Sequence, residues 1–392
     1  MFSLNSNKLI FFQLTSNNII HSTFATFIFM ILVFNKELIL ATNLALVSSF
    51  TILTSKIFSF NLRSIFIAKF NNERFNNFIF LRLIISILLY LFSFFFAYLF
   101  LDIKNEIIYL LIVVFVFQWM IELNLVKIEI ENNFKKISRL FFINIFVILL
   151  IIISSFLFDF EYFKEILLAY VLYLFYFYIN TVDFKKIRFD SKFIKELNFL
   201  FQNSIKSYSF FSSFFLNFAN LIWRVLVVFF VGKNIASIIF FFYAIGSFPA
   251  SIFNSSFGPT MVKNKISLNK LFFFFALYLS SIITLIYFTF FIFDIVSINI
   301  NSILTKNFII NISVFSLIGS LLMLYSMHFR QVIINNNPNF NNKVFLRDIH
   351  VSFSIILIIP ILFYSGGLNY LAFSYFFASL ISIISYSLIN TK

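Results

Sequence analysis

Apolar runs of about 18–25 residues recur along this chain of 392 residues, and short charged clusters separate them. At helical rise a bilayer core takes about 20 residues, whereas a spanning strand needs only about ten, alternating in polarity. The runs are therefore helical spans, and a transmembrane β-barrel is excluded. Charged residues make up 11% of the chain and hydrophobic ones 61%. A soluble domain carries about 25% charge, so too little polar surface is present to cover a soluble fold. The fold class is all-α, a polytopic membrane protein.

Reading apolar runs against charged breaks predicts twelve spans: 9–34, 37–58, 79–101, 107–126, 140–158, 166–182, 208–231, 236–257, 271–293, 308–329, 350–365 and 369–389. The third, fifth and ninth are almost uniformly apolar. The first, second, seventh and eighth carry Asn, Ser, Thr and Gln. A uniformly apolar helix can face lipid all round, but a polar-striped one needs a protein or water face. The first span is too long for a signal-peptide core and lacks a small-residue cleavage site, so it is expected to stay as a helix.

Charge placement sets the expected orientation. Twenty-three cations, from Lys8 to Lys392, fall on one side of the twelve spans, and five (Lys36, Lys104, Lys164, Lys233, Lys306) on the other. The richer side is cytoplasmic by the positive-inside rule, and both termini lie there. The net charge of +14 thus belongs to helix-flanking cations that meet anionic headgroups, and no nucleic-acid partner is needed. Cysteine is absent and the histidines, His21, His328 and His350, are scattered. Disulfides and thiolate chemistry are excluded, and neither a metal site nor a cofactor is expected. The 68 phenylalanines reflect codon drift in an AT-rich genome and argue nothing about ligands.

Outer loops are short, leaving no room for an extramembrane catalytic domain. The longest connection, 183–207, contains DFKKIRFDSKFIKEL, a charged amphipathic stretch suited to the membrane surface. It separates two expected six-helix bundles, 1–182 and 208–392. The bundles resemble each other at one offset. FNKELILAT at the first outer turn matches VGKNIASII at the fourth, with Lys36 and Lys233 separated by 197 positions. SFNLRSIFIAKF and SSFGPTMVKNK at the next inner turns keep that offset through Asn61 and Gly258. Six helices per copy make a parallel repeat about an axis along the membrane normal, an architecture that encloses a central cavity.

Polar stripes nominate what lines such a cavity. Gln13, Asn17 and His21 recur every four residues on one face of the first span. Ser213, Asn217, Asn220 and Arg224 fall at i, i+4, i+7 and i+11 on the seventh, its repeat partner. The eighth adds Ser247, Ser251 and Asn254, with Gly246 and Pro249 able to bend it. Arg224 lies about seven residues, roughly 10 Å, from the outer end of its span. Facing lipid near the bilayer centre an arginine costs at least about 2.5 kcal/mol; facing a wet cavity it offers a donor fork to phosphate or carboxylate. Snorkelling to the outer headgroups and a structural ion pair are the alternatives. Glu122, in QWMIELNLV, is the acid placed inside a span and the coupling candidate for a proton or cation, with snorkelling to the inner surface as its rival. Tyr170, Tyr173 and Tyr176 are read as one helical face, for packing or a sugar path.

Two segments carry a family resemblance: NLRSIFIAKFNNERFNNFIFLRLIISIL, and NLIWRVLVVFFVGKNIASIIFFFYAIGSFPASIFNSSFGPTMVKN. With twelve spans, a six-plus-six repeat and a cytoplasmic linker, the chain resembles the Wzx-type polysaccharide (O-antigen) flippases of the multidrug/oligosaccharidyl-lipid/polysaccharide exporter superfamily. The resemblance implies an undecaprenyl-diphosphate-linked oligosaccharide as substrate, moved from the inner to the outer leaflet of the bacterial cytoplasmic membrane. It also implies a polysaccharide polymerase as a downstream partner. Arg224 is the cation suited to the diphosphate; the family's other cavity cations have no clear match here. A small-molecule or multidrug exporter of the same superfamily would need a smaller, acid-lined cavity. A major-facilitator carrier would show a glycine- and arginine-rich turn after its second helix, which SFNLRSIFIAKF lacks. A membrane polymerase or glycosyltransferase would need larger outer loops, and Asp102, Glu106, Asp159 and Glu161 sit at helix ends where solvation explains them.

Overall fold

A computed structural model describes residues 24–59, 72–130, 134–158, 162–182, 195, 198, 208–252, 306–336 and 341–389. The described residues form helices joined by short turns, with no strand among them. In chain order the helices are α1 (Phe24–Phe34), α2 (Leu38–Ser59), α3 (Asn72–Phe95), α4 (Glu106–Ile130), α5 (Phe134–Leu157), α6 (Phe163–Thr181), α7 (Tyr208–Ile252), α8 (Lys306–Asn336), α9 (Asn341–Leu371) and α10 (Ser374–Ser387). Among them, eight are long and apolar enough to cross a membrane. The protein is a multi-pass helical membrane protein.

α7 joins two of the expected spans. Its 45 residues are broken at Gly232, whose φ of +77° lies where a side chain is strained. The chain turns there, and the arms before and after it correspond to 208–231 and 236–257. α9 is interrupted likewise at Gly366 and Gly367, where the eleventh span ends. In the first half, the turn between α1 and α2 passes through Lys36 in the left-handed region, φ +64°. The span expected at 271–293 and most of the linker 183–207 lie outside the described residues.

Several helices run past the apolar segments that predicted them. α3 begins at Asn72 rather than 79 and α9 at Asn341 rather than 350. Apolar runs end where the hydrocarbon ends, but backbone hydrogen bonding continues into the headgroup zone. In α9 those extra turns bring Asp348 into contact with a neighbouring helix.

Two compact units divide the chain, Met1–Asn217 and Phe218–Lys392, with the boundary inside α7. In the first unit α2 is the most buried of the spanning helices. Its apolar window is 72% buried in protein, against 22% for Phe75–Phe100. This follows from its sequence: Thr42, Asn43, Ser48, Ser49, Thr51 and Thr54 are all buried. Several return hydrogen bonds to their own helix, as Ser49 Oγ does to the Ala45 carbonyl at 2.9 Å and Thr51 Oγ1 to Val47 at 2.9 Å. Thr51 also meets Ser93 of α3 at 3.0 Å. Satisfying hydroxyls locally lets a polar-striped helix sit inside protein without a desolvation penalty. The greasy α3 instead exposes Ile84, Ile87, Leu91 and Phe95, as a lipid-facing helix should.

In the second unit the second arm of α7 packs against α8 and α10 at small residues. A Cβ on Gly246 would lie 2.8 Å from the Ser316 carbonyl oxygen and 3.1 Å from the Tyr375 ring. Tyr243 donates to the Leu371 carbonyl at 2.6 Å, tying the same arm to the end of α9.

Candidate functional site

The polar stripe on the first arm of α7 is present as a helical face, and its members differ in surroundings. Ser213 and Asn217 are half-buried, and Asn217 Nδ2 donates to the Ser213 carbonyl at 2.6 Å. Asn220 is exposed. Arg224 is half-buried, with its guanidinium carbon 5.7 Å from the centre of the Phe240 ring on the second arm. Trp223 stands beside it, 5.5 Å from the Phe240 ring and 5.2 Å from the Tyr243 ring. The turn at Gly232 folds the two arms together and so puts an aromatic face under the cation. A cation–π contact of this kind contributes about 0.5–2 kcal/mol, the more so when desolvated. It fixes one side of the planar guanidinium.

Gln13, Asn17 and His21 lie outside the described residues, as does Asn254. Ser247 Oγ donates to the Ala244 carbonyl at 3.3 Å within its own helix. The three tyrosines do not form one face. At about 100° per residue, positions three apart drift, so three of them spread over about 120°. Tyr170 is buried and hydrogen-bonded to Asn144 at 2.9 Å, Tyr173 is half-buried, and Tyr176 is exposed. Tyr170 therefore belongs to the packing of α4, α5 and α6, together with Gln118 at 3.5 Å.

Glu122 sits in a cluster that the sequence reading did not assemble. Arg82 of α3 points Nη2 at Glu122 Oε2 of α4, 3.3 Å away. The guanidinium carbon lies 4.2 Å from the Trp119 ring centre. Trp119 Nε1 in turn donates to Ser59 Oγ of α2 at 2.8 Å, and Ser59 donates to the Ser55 carbonyl at 2.6 Å. Arg82 is 3% exposed and Glu122 30%. Arg82 was expected as a headgroup anchor; it is instead an internal cation joining three helices. The signal lay in FIFLRLII, where the arginine interrupts an apolar run rather than preceding it.

A second buried pair lies within the second unit. Arg330 of α8 forks onto Asp348 of α9, with Nε to Oδ1 at 3.1 Å and Nη2 to Oδ2 at 2.9 Å. The Tyr386 hydroxyl of α10 donates to Asp348 Oδ1. Asp348 is 0% exposed and Arg330 16%. Both were counted with the cytoplasmic flanks from sequence, and the extension of α9 to Asn341 is what buries the aspartate. No local pattern marks Asp348, because its partners come from two other helices. Among the described residues, no group of three or more His, Asp or Glu side chains could hold a metal ion.

No known family profile matches the sequence, and no curated protein matches it either. Among solved structures the chain is similar to one described as the inward-facing conformation of a multidrug resistance MATE family transporter of the MOP superfamily. The identity is 13%, the TM-score 0.48, and the match covers 97% of this chain and 93% of the other.

Proposed function

We propose that this protein moves an undecaprenyl-diphosphate-linked oligosaccharide from the inner to the outer leaflet of a bacterial cytoplasmic membrane, with both termini cytoplasmic. The halves 1–182 and 208–392, joined by the linker 183–207, alternate in access to the two sides. The observation that carries this reading is Arg224. It stands within an apolar arm, half-buried against Phe240, and a guanidinium is the side chain whose geometry matches a diphosphate. Ser213, Asn217 and Asn220 continue the same face with hydroxyl and amide groups fit for sugar. By sequence periodicity, Gln13, Asn17 and His21 are the residues expected to offer the equivalent face on the first span. The charged headgroup takes this wet route while its polyprenyl tail stays in lipid, and an ion gradient or the membrane potential drives the cycle.

The alternative, a small-molecule exporter of the same superfamily, calls for an acid-lined cavity. Glu122, the acid it would rely on, already faces Arg82 at 3.3 Å, which favours the flippase. The coupling role of Glu122 then takes the form of a change of partner: protonation weakens its hold on Arg82 and frees α3 and α4 to move.

The test is leaflet accessibility of lipid-linked oligosaccharide in inverted vesicles from wild type, a deletion strain and Arg224→Ala. Units accumulate on the cytoplasmic face in both mutants if the reading holds, with flipping reduced at least about tenfold in Arg224→Ala, the loss of one charge-assisted contact. An unchanged distribution in the deletion rejects the flippase.

A further inference from the structure

Where α3, α4 and α6 meet, on the side expected to face outward, a groove of about 310 Å³ opens on the first unit. Its wall is apolar and aromatic: Tyr90 of α3, Tyr109, Leu110 and Val113 of α4, and Leu168 of α6. Its mouth carries Glu106, Lys164 and Glu165. Asn105 holds the mouth in place by capping α4, its side-chain oxygen accepting the Ile107 N–H at 2.8 Å. Lys164 is ion-paired with Glu106, and both are exposed. Below the groove the seam between α4 and α6 continues through the edge-on contact of Phe117 with Phe175, with Leu168 and Leu172 facing lipid.

This polarity runs along the membrane normal, with a charged mouth at the interface and an apolar wall beneath it. It is the polarity of a membrane amphiphile and not of a water-soluble ligand. The signs at the mouth narrow the class. Two carboxylates and one ammonium leave one negative charge in excess, which repels a diphosphate and any anionic lipid. A headgroup carrying its own cation beside its phosphate complements the set, since the phosphate meets Lys164 and the ammonium meets the carboxylates.

We propose that this groove binds a phospholipid with a primary-amine headgroup, of the phosphatidylethanolamine class. One acyl chain lies along Val113 and Leu168, the ammonium donates to Glu165 and Glu106, and the phosphate accepts from Lys164. A quaternary choline headgroup has the charge but no N–H to donate, so it binds more weakly. An acidic glycerol headgroup lacks the cation altogether. This site shares no residue with the stripe around Arg224 and does not depend on what the protein transports.

Native mass spectrometry of the purified full-length protein tests it, with phosphatidylethanolamine, phosphatidylcholine and phosphatidylglycerol added at equal concentration. The expected result is retention of one phosphatidylethanolamine, about tenfold over phosphatidylglycerol, as the loss of one charge-assisted contact predicts. The double variant Glu106→Gln, Glu165→Gln removes that preference. Leu168→Trp, which fills the groove, lowers retention of all three lipids. The ion pair at the mouth is exposed and adds little to stability, so these variants remain folded. Equal retention of the three lipids by wild type, a preference for the acidic lipid, or a preference that survives the double variant each overturns the proposal.

Discussion

The two units each bury an arginine against a carboxylate, and they do it differently. In the second unit Arg330, Asp348 and Tyr386 close on one another: both carboxylate oxygens accept from the guanidinium, one also accepts the phenol, and no solvent reaches the aspartate. In the first unit Arg82 meets Glu122 at 3.3 Å, with Trp119 stacked on the cation and nearly a third of the glutamate exposed. Burying an ion pair is costly, and only dense hydrogen bonding offsets that cost. The closed triad is thus a clamp across α8, α9 and α10. The open cluster holds its charge by a contact that water or a proton can displace, which suits a moving part.

The largest expected effect comes from breaking the clamp. Asp348→Asn leaves Arg330 without its carboxylate in a dry setting, and should lower stability by about 3–5 kcal/mol. Thermal melting in detergent, followed by fluorescence size exclusion, measures it. Pairing Asp348→Leu with Arg330→Met removes both charges and should recover most of the loss; a double variant as unstable as the single one would show that the site serves more than charge pairing.

Glu122→Gln should cost less, about 1–2 kcal/mol, because water reaches the open cluster and the amide still accepts from Arg82. Transport in vesicles should fall more steeply than melting temperature. If Glu122→Gln melts as low as Asp348→Asn while flipping scales only with folded protein, the two clusters are the same kind of element and the contrast is lost. The smallest effect is expected for Trp119→Phe, which keeps a ring under Arg82 but loses the hydrogen bond to Ser59. A drop of about 1 kcal/mol follows from one buried hydrogen bond and a weaker cation–π contact. No change at all would mean that α2 is tied to α4 by packing alone.

How far the sequence reached differs between helices. The stripes of Ser and Thr on the second span predicted a protein-facing helix, and α2 is the most buried of the spans in its unit. The apolar third span predicted a lipid-facing one, and α3 exposes its aliphatic side chains. Gly232, at the turn between the fourth pair of neighbouring runs, could be read because a charged break splits the apolar sequence there. Arg82, Arg330 and Asp348 could not be placed, since composition assigns a charge near a helix end to the headgroups by default. The stripe from Ser213 to Arg224 was legible as periodicity, but the Phe240 ring beneath the arginine was not.

The sequence by itself determined that this is a polytopic helical membrane protein, where most of its spans lie, and which helices must avoid lipid. Those properties follow from hydropathy and period, which each residue carries along the chain. Only the tertiary structure decided which charges are anchors and which are paired, because an ion pair needs two side chains from different helices within about 4 Å. Arg82 with Glu122 are 40 positions apart, and Arg330 with Asp348 are 18 apart. Neither separation has a local signature, and helix packing alone brings the partners together.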